Sequence, residues 1–281
     1  MSRPVTVACL QTRPMPDFET ALAEALSLAE QAVADGADLL ALPEYCGGLL
    51  SSEGRFAPPA AEEDSHLVVQ GLREFAARHS VDVLIGSVAV TGQGQKYRNR
   101  SLYVDKSGEV LGRYDKIHLF DVNLSATEQY RESDSVEPGG DCVTVDSRFG
   151  RVGLSVCYDL RFAHLYRLQS QNGAEILMIP AAFAATTGRA HWHILQRARA
   201  IENGAFVVAP CAVGPVDGGG EAYGHSVIVE PWGTVLADGG TEAGVVIAQI
   251  DLDLVAETRA RVPSLSHDRP YSVPGRKRAV A

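Results

Sequence analysis

Apolar and polar positions alternate along the chain with two different periods. Residues 5–11 (VTVACLQ) are an apolar run of strand length. Residues 17–36 (DFETALAEALSLAEQAVADG) then place Ala21, Leu22, Ala25, Leu26, Ala29 and Val33 on one stripe at helical spacing. Asp17 suits the N-cap of that helix and Gly36 its stop. ADLLALPE reads as a buried strand that ends at Pro43 and Glu44, and a helix over about 64–79 carries Leu67, Val68, Leu72 and Phe75. VDVLIGSVAV, RSLYVD and EVLGRYDK follow as strands, with a turn at 106–108 between the last two.

Residues 121–142 are polar and lack clear periodicity, which predicts a long excursion from the sheet. The alternation then resumes. RVGLSVCYD is a strand, 163–172 a helix, EILMIPAAF a strand, 189–203 a helix and AFVVAPCAV a strand. GHSVIVEP and GVVIAQID close the pattern, and a short helix begins near Asp253. Near-continuous apolar strands between amphipathic helices predict α/β layers with sheets covered on both faces. No linker or composition shift divides the chain, so residues 1–281 read as one domain with a C-terminal tail from about 262.

Composition narrows the function. With 46% hydrophobic residues, 21% charged and a net charge of −10, the chain is an ordinary globular sequence, and nucleic acid and anionic membranes are poor partners for it. Arg276, Lys277 and Arg278 form a lone basic cluster that reads as a solvated tail. No apolar run reaches membrane-span length, and the N-terminus lacks the regions of a signal peptide. The five cysteines, at 9, 46, 142, 157 and 211, are scattered without a CxxC pair, as expected of reduced thiols in a cytoplasmic protein.

Three polar residues stand where apolar strands stop: Glu44 in LALPEYCGG, Lys116 in GRYDKIHLF and Cys157 in GLSVCYDLR. In open α/β sheets, ligands bind beyond the carboxyl ends of strands. Convergence there would give each residue a task. Glu44 would take the thiol proton, Lys116 would lower the thiol pKa and stabilise an oxyanion, and Cys157 would attack a carbonyl-type carbon. Two plainer readings stay open on residues alone: a packed core cysteine, and a structural Glu44–Lys116 salt bridge.

Other signals are weaker. His191 and His193 form an HxH pair, but on a helix they point about 200° apart, and no partner completes a metal set in the sequence, so no metal is expected. The run 153–157 lacks the final glycine of a nucleophile elbow. GQGQK and GGGE lack the rest of a phosphate-binding fingerprint and read as turns.

LPEYCGG, GRYDKIHLFD, GLSVCYDLRF and AHWHILQRARAIENGAFVVAP together resemble the nitrilase superfamily of carbon–nitrogen hydrolases, over essentially the whole chain. The resemblance implies a four-layer αββα sandwich, a Glu44–Lys116–Cys157 triad, Glu132 holding Lys116 and the substrate amide, and the Tyr158 backbone N–H in the oxyanion hole. It implies no cofactor and a homodimer or higher homo-oligomer. CYDLRF with TTGRAHWHILQRARAIEN is most similar to the Nit branch, which contains omega-amidases and amidases of deaminated glutathione. There Arg161 and Thr187 would contact the carboxylate of a small carboxylated amide, with Phe183 and Tyr45 as further substrate-binding positions. A guanidinium suits that carboxylate as a planar fork. An ion pair of Arg161 with Asp159 or Glu175 is the plainer alternative. N-carbamoyl amino acid hydrolase, aliphatic nitrilase and a non-catalytic binding protein of the same fold complete the alternatives. Ala163 departs from the proline common in the family, which touches substrate detail more than chemistry.

Overall fold

The computed structural model describes residues 2–52, 55–92, 94, 96–124 and 129–271, so the basic cluster at 276–278 lies outside the described residues. In chain order, the first half contributes β1 (Pro4–Gln11), α1 (Phe18–Ala34), β2 (Leu39–Ala41), β3 (Ala60–Ala61), α2 (Leu67–His79), β4 (Asp82–Thr91), β5 (Tyr97–Val104) and β6 (Val110–Asp115). The second half adds β7 (Thr144–Ser147), β8 (Gly150–Leu154), α3 (Ala163–Gln171), β9 (Ile176–Met178), α4 (Ala185–Asn203), β10 (Phe206–Ala209), β11 (Val227–Val229), β12 (Val235–Asp238), β13 (Gly244–Asp251) and α5 (Asp253–Arg261).

One sheet runs β13-β1-β2-β4-β5-β6 with β3 beside β4, and the other runs β7-β8-β9-β10-β11-β12. Each has three adjacent parallel strands at its centre, β1-β2-β4 and β8-β9-β10. Side-chain alternation assigns the layers. Val5, Val7 and Cys9 share a core with Leu154, Met178 and Val207 of the other sheet, whereas Ala8 and Leu10 pack with Ala25, Ala29, Leu72 and Phe75 of α1 and α2. Leu39 and Ala41 against Leu40 and Leu42, and Leu84 against Val83 and Ile85, divide the same way. Leu165, Tyr166, Trp192 and Ala200 of α3 and α4 cover the second sheet. The result is the expected four-layer αββα sandwich, in which each buried Leu or Val side chain contributes about 1.5–3 kcal/mol.

Several boundaries differ from the sequence reading. The central strands are shorter: β8 stops at Leu154, two residues before the one preceding Cys157, and ADLLALPE forms a ladder only over Leu39–Ala41. Beyond these points the chain leaves the ladder for other partners, as where the Cys157 N–H donates to the Pro180 carbonyl at 2.8 Å. Helix α4 begins at Ala185 rather than near 189, so Thr187 and Gly188 are helical. Gly188 is kept in that helix by packing, since a Cβ there would lie 2.3 Å from the Tyr223 ring. On α1, Leu28 and Ala32 are buried, while Leu22, Leu26 and Val33 are only partly so. Leu67 opens α2 on its exposed side. Among the described residues of 121–142, Asp121–Asn123 pairs with Gln129–Arg131, and a 3₁₀ turn, Glu132–Asp134, follows, where the pattern predicts an excursion without periodicity. Among the described residues no helix is long and apolar enough to cross a membrane.

Candidate active site

Glu44 is delivered to the centre by an unusually close backbone crossing. A Cβ on Gly86 would lie 1.8 Å from the Leu42 carbonyl oxygen and 2.3 Å from that of Pro43, so only glycine lets the 42–44 segment cross β4. The β4–β5 ladder shifts register there, between Ile85 and Val88. The carboxylate then accepts from Lys116 Nζ at 2.8 Å and Asn99 Nδ2 at 2.9 Å on one oxygen, and from the Ala182 N–H at 2.9 Å on the other. The Cys157 thiol lies beside it in the same cleft, close enough for the two groups to couple electrostatically.

Lys116 follows directly on β6, and its N–H donates to the Asn99 carbonyl at 2.9 Å. Its ammonium, 2% exposed, donates to Glu132 at 2.8 and 3.1 Å as well as to Glu44. Glu132 also accepts from the Phe120 N–H at 2.6 Å, the Tyr45 hydroxyl at 3.1 Å and Asn99 Nδ2 at 3.2 Å. Asn99 thus bridges both carboxylates, a role that no sequence motif announced.

Cys157 opens the 3₁₀ turn Cys157–Arg161 with φ +50°, the left-handed region that an L residue enters only at a cost. Asp159, completely buried in that turn, supports it. It accepts from the Val156 N–H at 2.8 Å and the Tyr114 hydroxyl at 2.7 Å on one oxygen, and from the His118 N–H on the other. The His118 ring in turn stacks on Phe162 with centroids 3.5 Å apart.

The electrostatics follow from this geometry. Burial alone would raise the Glu44 carboxyl, but Lys116, the thiol and the Ala182 N–H outweigh it and hold Glu44 below its ordinary value. Burial alone would discharge Lys116, yet Glu132 and Glu44 raise it well above its ordinary value. Burial, reinforced by Glu44, pushes the Cys157 thiol well above its ordinary 9.0. Lys116 pulls the thiol down, as its charge dictates, but does not win, because two carboxylates share that charge. The resting set is a neutral thiol beside an ionised carboxylate that is paired with an ammonium.

A cleft with about 540 Å³ of empty space, counting its mouth, opens onto this cluster. Glu44, Lys116, Cys157, Tyr158, Phe183 and Thr187 line it, with Phe56, Phe120 and Tyr130 as further aromatic walls. Tyr45 faces Glu132 instead of the cleft. Arg161 is not a lining residue either: its guanidinium lies 5.9 Å from the Tyr158 ring and 5.5 Å from the Phe183 ring. Its polar partner is His191 Nδ1 at 3.3 Å. The carboxylates weighed for it have other partners, Asp159 with Tyr114 and Glu175 with Arg3. The GGGE stretch is more than a turn, because Gly219, Gly220 and Glu221 line the mouth and separate the cleft from an outer hollow bearing Thr186 and Arg189.

Fold and cluster together define an enzyme of the nitrilase type. Residues 6–260 match the carbon–nitrogen hydrolase family, and the chain belongs to that family. It is 38% identical over 269 residues to the deaminated glutathione amidase of Synechocystis sp., covering 94% of this chain and 98% of that protein. It is 36% identical over 258 residues to omega-amidase NIT2 of Mus musculus, covering 91% and 92%. Among solved structures, the C. elegans NitFhit protein superposes with a TM-score of 0.86 at 30% identity, over 95% of this chain and 65% of that longer one. The protein is therefore a hydrolase of carbon–nitrogen bonds with amidases as relatives.

Proposed function

We propose that the protein is a thiol amidase that hydrolyses the terminal amide of a small carboxylated substrate, 2-oxoglutaramate-like or deaminated glutathione, through a thioester on Cys157. The observation that carries this reading is the Glu44 carboxylate bonded to the Lys116 ammonium beside the Cys157 thiol, all three lining one cleft. In the first half-reaction, sulfur attacks the amide carbon while its proton passes to Glu44. The oxygen of the tetrahedral intermediate takes hydrogen bonds from Lys116 Nζ and the Tyr158 N–H. Collapse breaks the C–N bond, Glu44 returns the proton to nitrogen, and ammonia or an amine leaves. Water, deprotonated by Glu44, then splits the thioester to the acid and restores the thiol. Glu132 and Asn99 keep Lys116 and Glu44 in register.

For substrate, Thr187 and Phe183 on the cleft wall and Arg161 beside the Tyr158 and Phe183 rings form the carboxylate end, and Tyr45 acts indirectly by orienting Glu132. The outer hollow beyond Gly219 and Gly220 supports the longer of the two substrates, whose leaving group is itself an extended amine. The test is ammonia or amine release from 2-oxoglutaramate, deaminated glutathione, an N-carbamoyl amino acid and a simple nitrile, by the native chain and by Cys157→Ala. Release from the carboxylated amides, abolished in Cys157→Ala, is expected. Release confined to the N-carbamoyl amino acid or the nitrile would transfer the assignment to those activities, and release from none would favour a binding protein.

A further inference from the structure

We propose that His193, His225 and Asp238 form a binding site for a divalent transition-metal ion, of which Zn²⁺ is the probe. The three come from separate elements: His193 from α4, His225 from the segment before β11, and Asp238 from the end of β12. HxH spacing alone shows no partner for a metal set, because the groups beside His193, namely His225 and Asp238, are remote in sequence. His191 turns away to Arg161, while His193 Nε2 lies 2.8 Å from Asp238 Oδ2 and His225 Nδ1 lies 2.8 Å from Asp238 Oδ1. One donor atom from each residue falls within 4.8 Å of the others. Two ligands held at about 2.0–2.1 Å on one ion are about 2.9–3.4 Å apart, so small side-chain rotations close the set once the ring nitrogens release their protons. Two imidazoles and a carboxylate suit Zn²⁺, with water in the remaining position.

The donors are held in place. His225 takes φ +51°, its N–H donates to the Gly240 carbonyl at 2.7 Å, and its own carbonyl accepts from Trp192 Nε1 at 2.7 Å. Its ring stacks on Tyr223 with centroids 4.6 Å apart, and Asp238 Oδ1 accepts from the Gly240 N–H at 2.9 Å. With side-chain exposures of 33%, 25% and 34%, the three groups are open to an ion from solvent. Such an ion would fasten α4 to the edge of the second sheet, behind the Tyr223–Gly188 contact that supports the cleft wall.

The test is calorimetric titration of Zn²⁺ into the chelator-stripped full chain, with Co²⁺ absorption as an independent reading of the ligands. One equivalent of Zn²⁺ is expected, weakened at least about tenfold in His193→Ala and in Asp238→Ala and retained in Cys157→Ala. Co²⁺ should give d–d bands without a thiolate charge-transfer band, a result that needs no variant to fold. No saturable binding, unchanged affinity in both variants, loss of binding in Cys157→Ala, or a thiolate band would each overturn the proposal.

Discussion

The Asp159 carboxylate grips His118 twice, at the main-chain N–H at 3.1 Å and at ring Nδ1 at 2.7 Å. Its other oxygen holds the Val156 N–H and the Tyr114 hydroxyl. Val156 precedes Cys157, and Tyr114 and His118 flank Lys116, so one buried group fixes the thiol segment against the ammonium segment.

Replacing that carboxylate by an amide turns an acceptor into a donor facing N–H and O–H groups. Asp159→Asn is expected to lower kcat about a hundredfold with little change in KM, because the reacting groups lose register, and to cost about 1–3 kcal/mol of stability. Steady-state kinetics and urea unfolding check it, and wild-type kcat would remove Asp159 from the positioning role.

Glu132→Gln keeps the size and one acceptor but strips a charge from beside Lys116. A loss in kcat of about 10²–10³-fold is expected, concentrated in the acylation step, as for removal of a preorganised oxyanion partner. Single-turnover measurement of amine release reads that step directly, and a loss confined to KM would make Glu132 a binding residue alone.

Arg161→Lys should raise KM for a carboxylated amide about tenfold through loss of the planar fork, and leave an uncharged amide unaffected. The comparison variant is Arg189→Gln in the outer hollow. If Arg189→Gln raises KM and Arg161→Lys does not, the carboxylate is held beyond the glycine loop.

The pH profile follows from the directions of shift. Glu44 works ionised and sits below its ordinary 4.5, and the thiol works from its neutral form and sits above its ordinary 9.0. For an uncharged amide, kcat/KM should therefore be flat between those values, with its acid limb set by the depressed Glu44 value. Glu44's share of stability has the same sign, present above 4.5 and lost as pH falls through the folded-state value. An increase in kcat/KM with an apparent midpoint near neutrality would instead indicate a preformed thiolate.

Much of this was legible because strand ends are marked by composition. LALPE, GRYDK and GLSVC each break an apolar run with a polar residue, and the three breaks meet at one cleft. Order within the runs was less visible, since an apolar stretch continues past the point where the ladder stops. Asn99 carries no mark in the sequence, and Asp159 reads there only as a counter-ion for Arg161, because a lone polar residue in a strand or after a cysteine has no periodic signature. The pattern starts the helix near 189 and leaves Thr187 before it, because the extra turn packs its Gly188 on Tyr223, which is remote in sequence. That Arg161 packs against the Tyr158 and Phe183 rings and meets His191 depends on contacts remote in sequence, which spacing does not encode.

Two carboxylates around one ammonium also give the cleft floor a direction of traffic. On the proposed reaction the scissile amide group arrives uncharged, and the carboxyl group formed from it departs as an anion beside an ammonium already shared between Glu44 and Glu132. The repulsion at that spot favours departure over rebinding, so the free acid is a weak competitor of the amide. The charge arrangement that readies the thiol thereby also clears the site after each turnover.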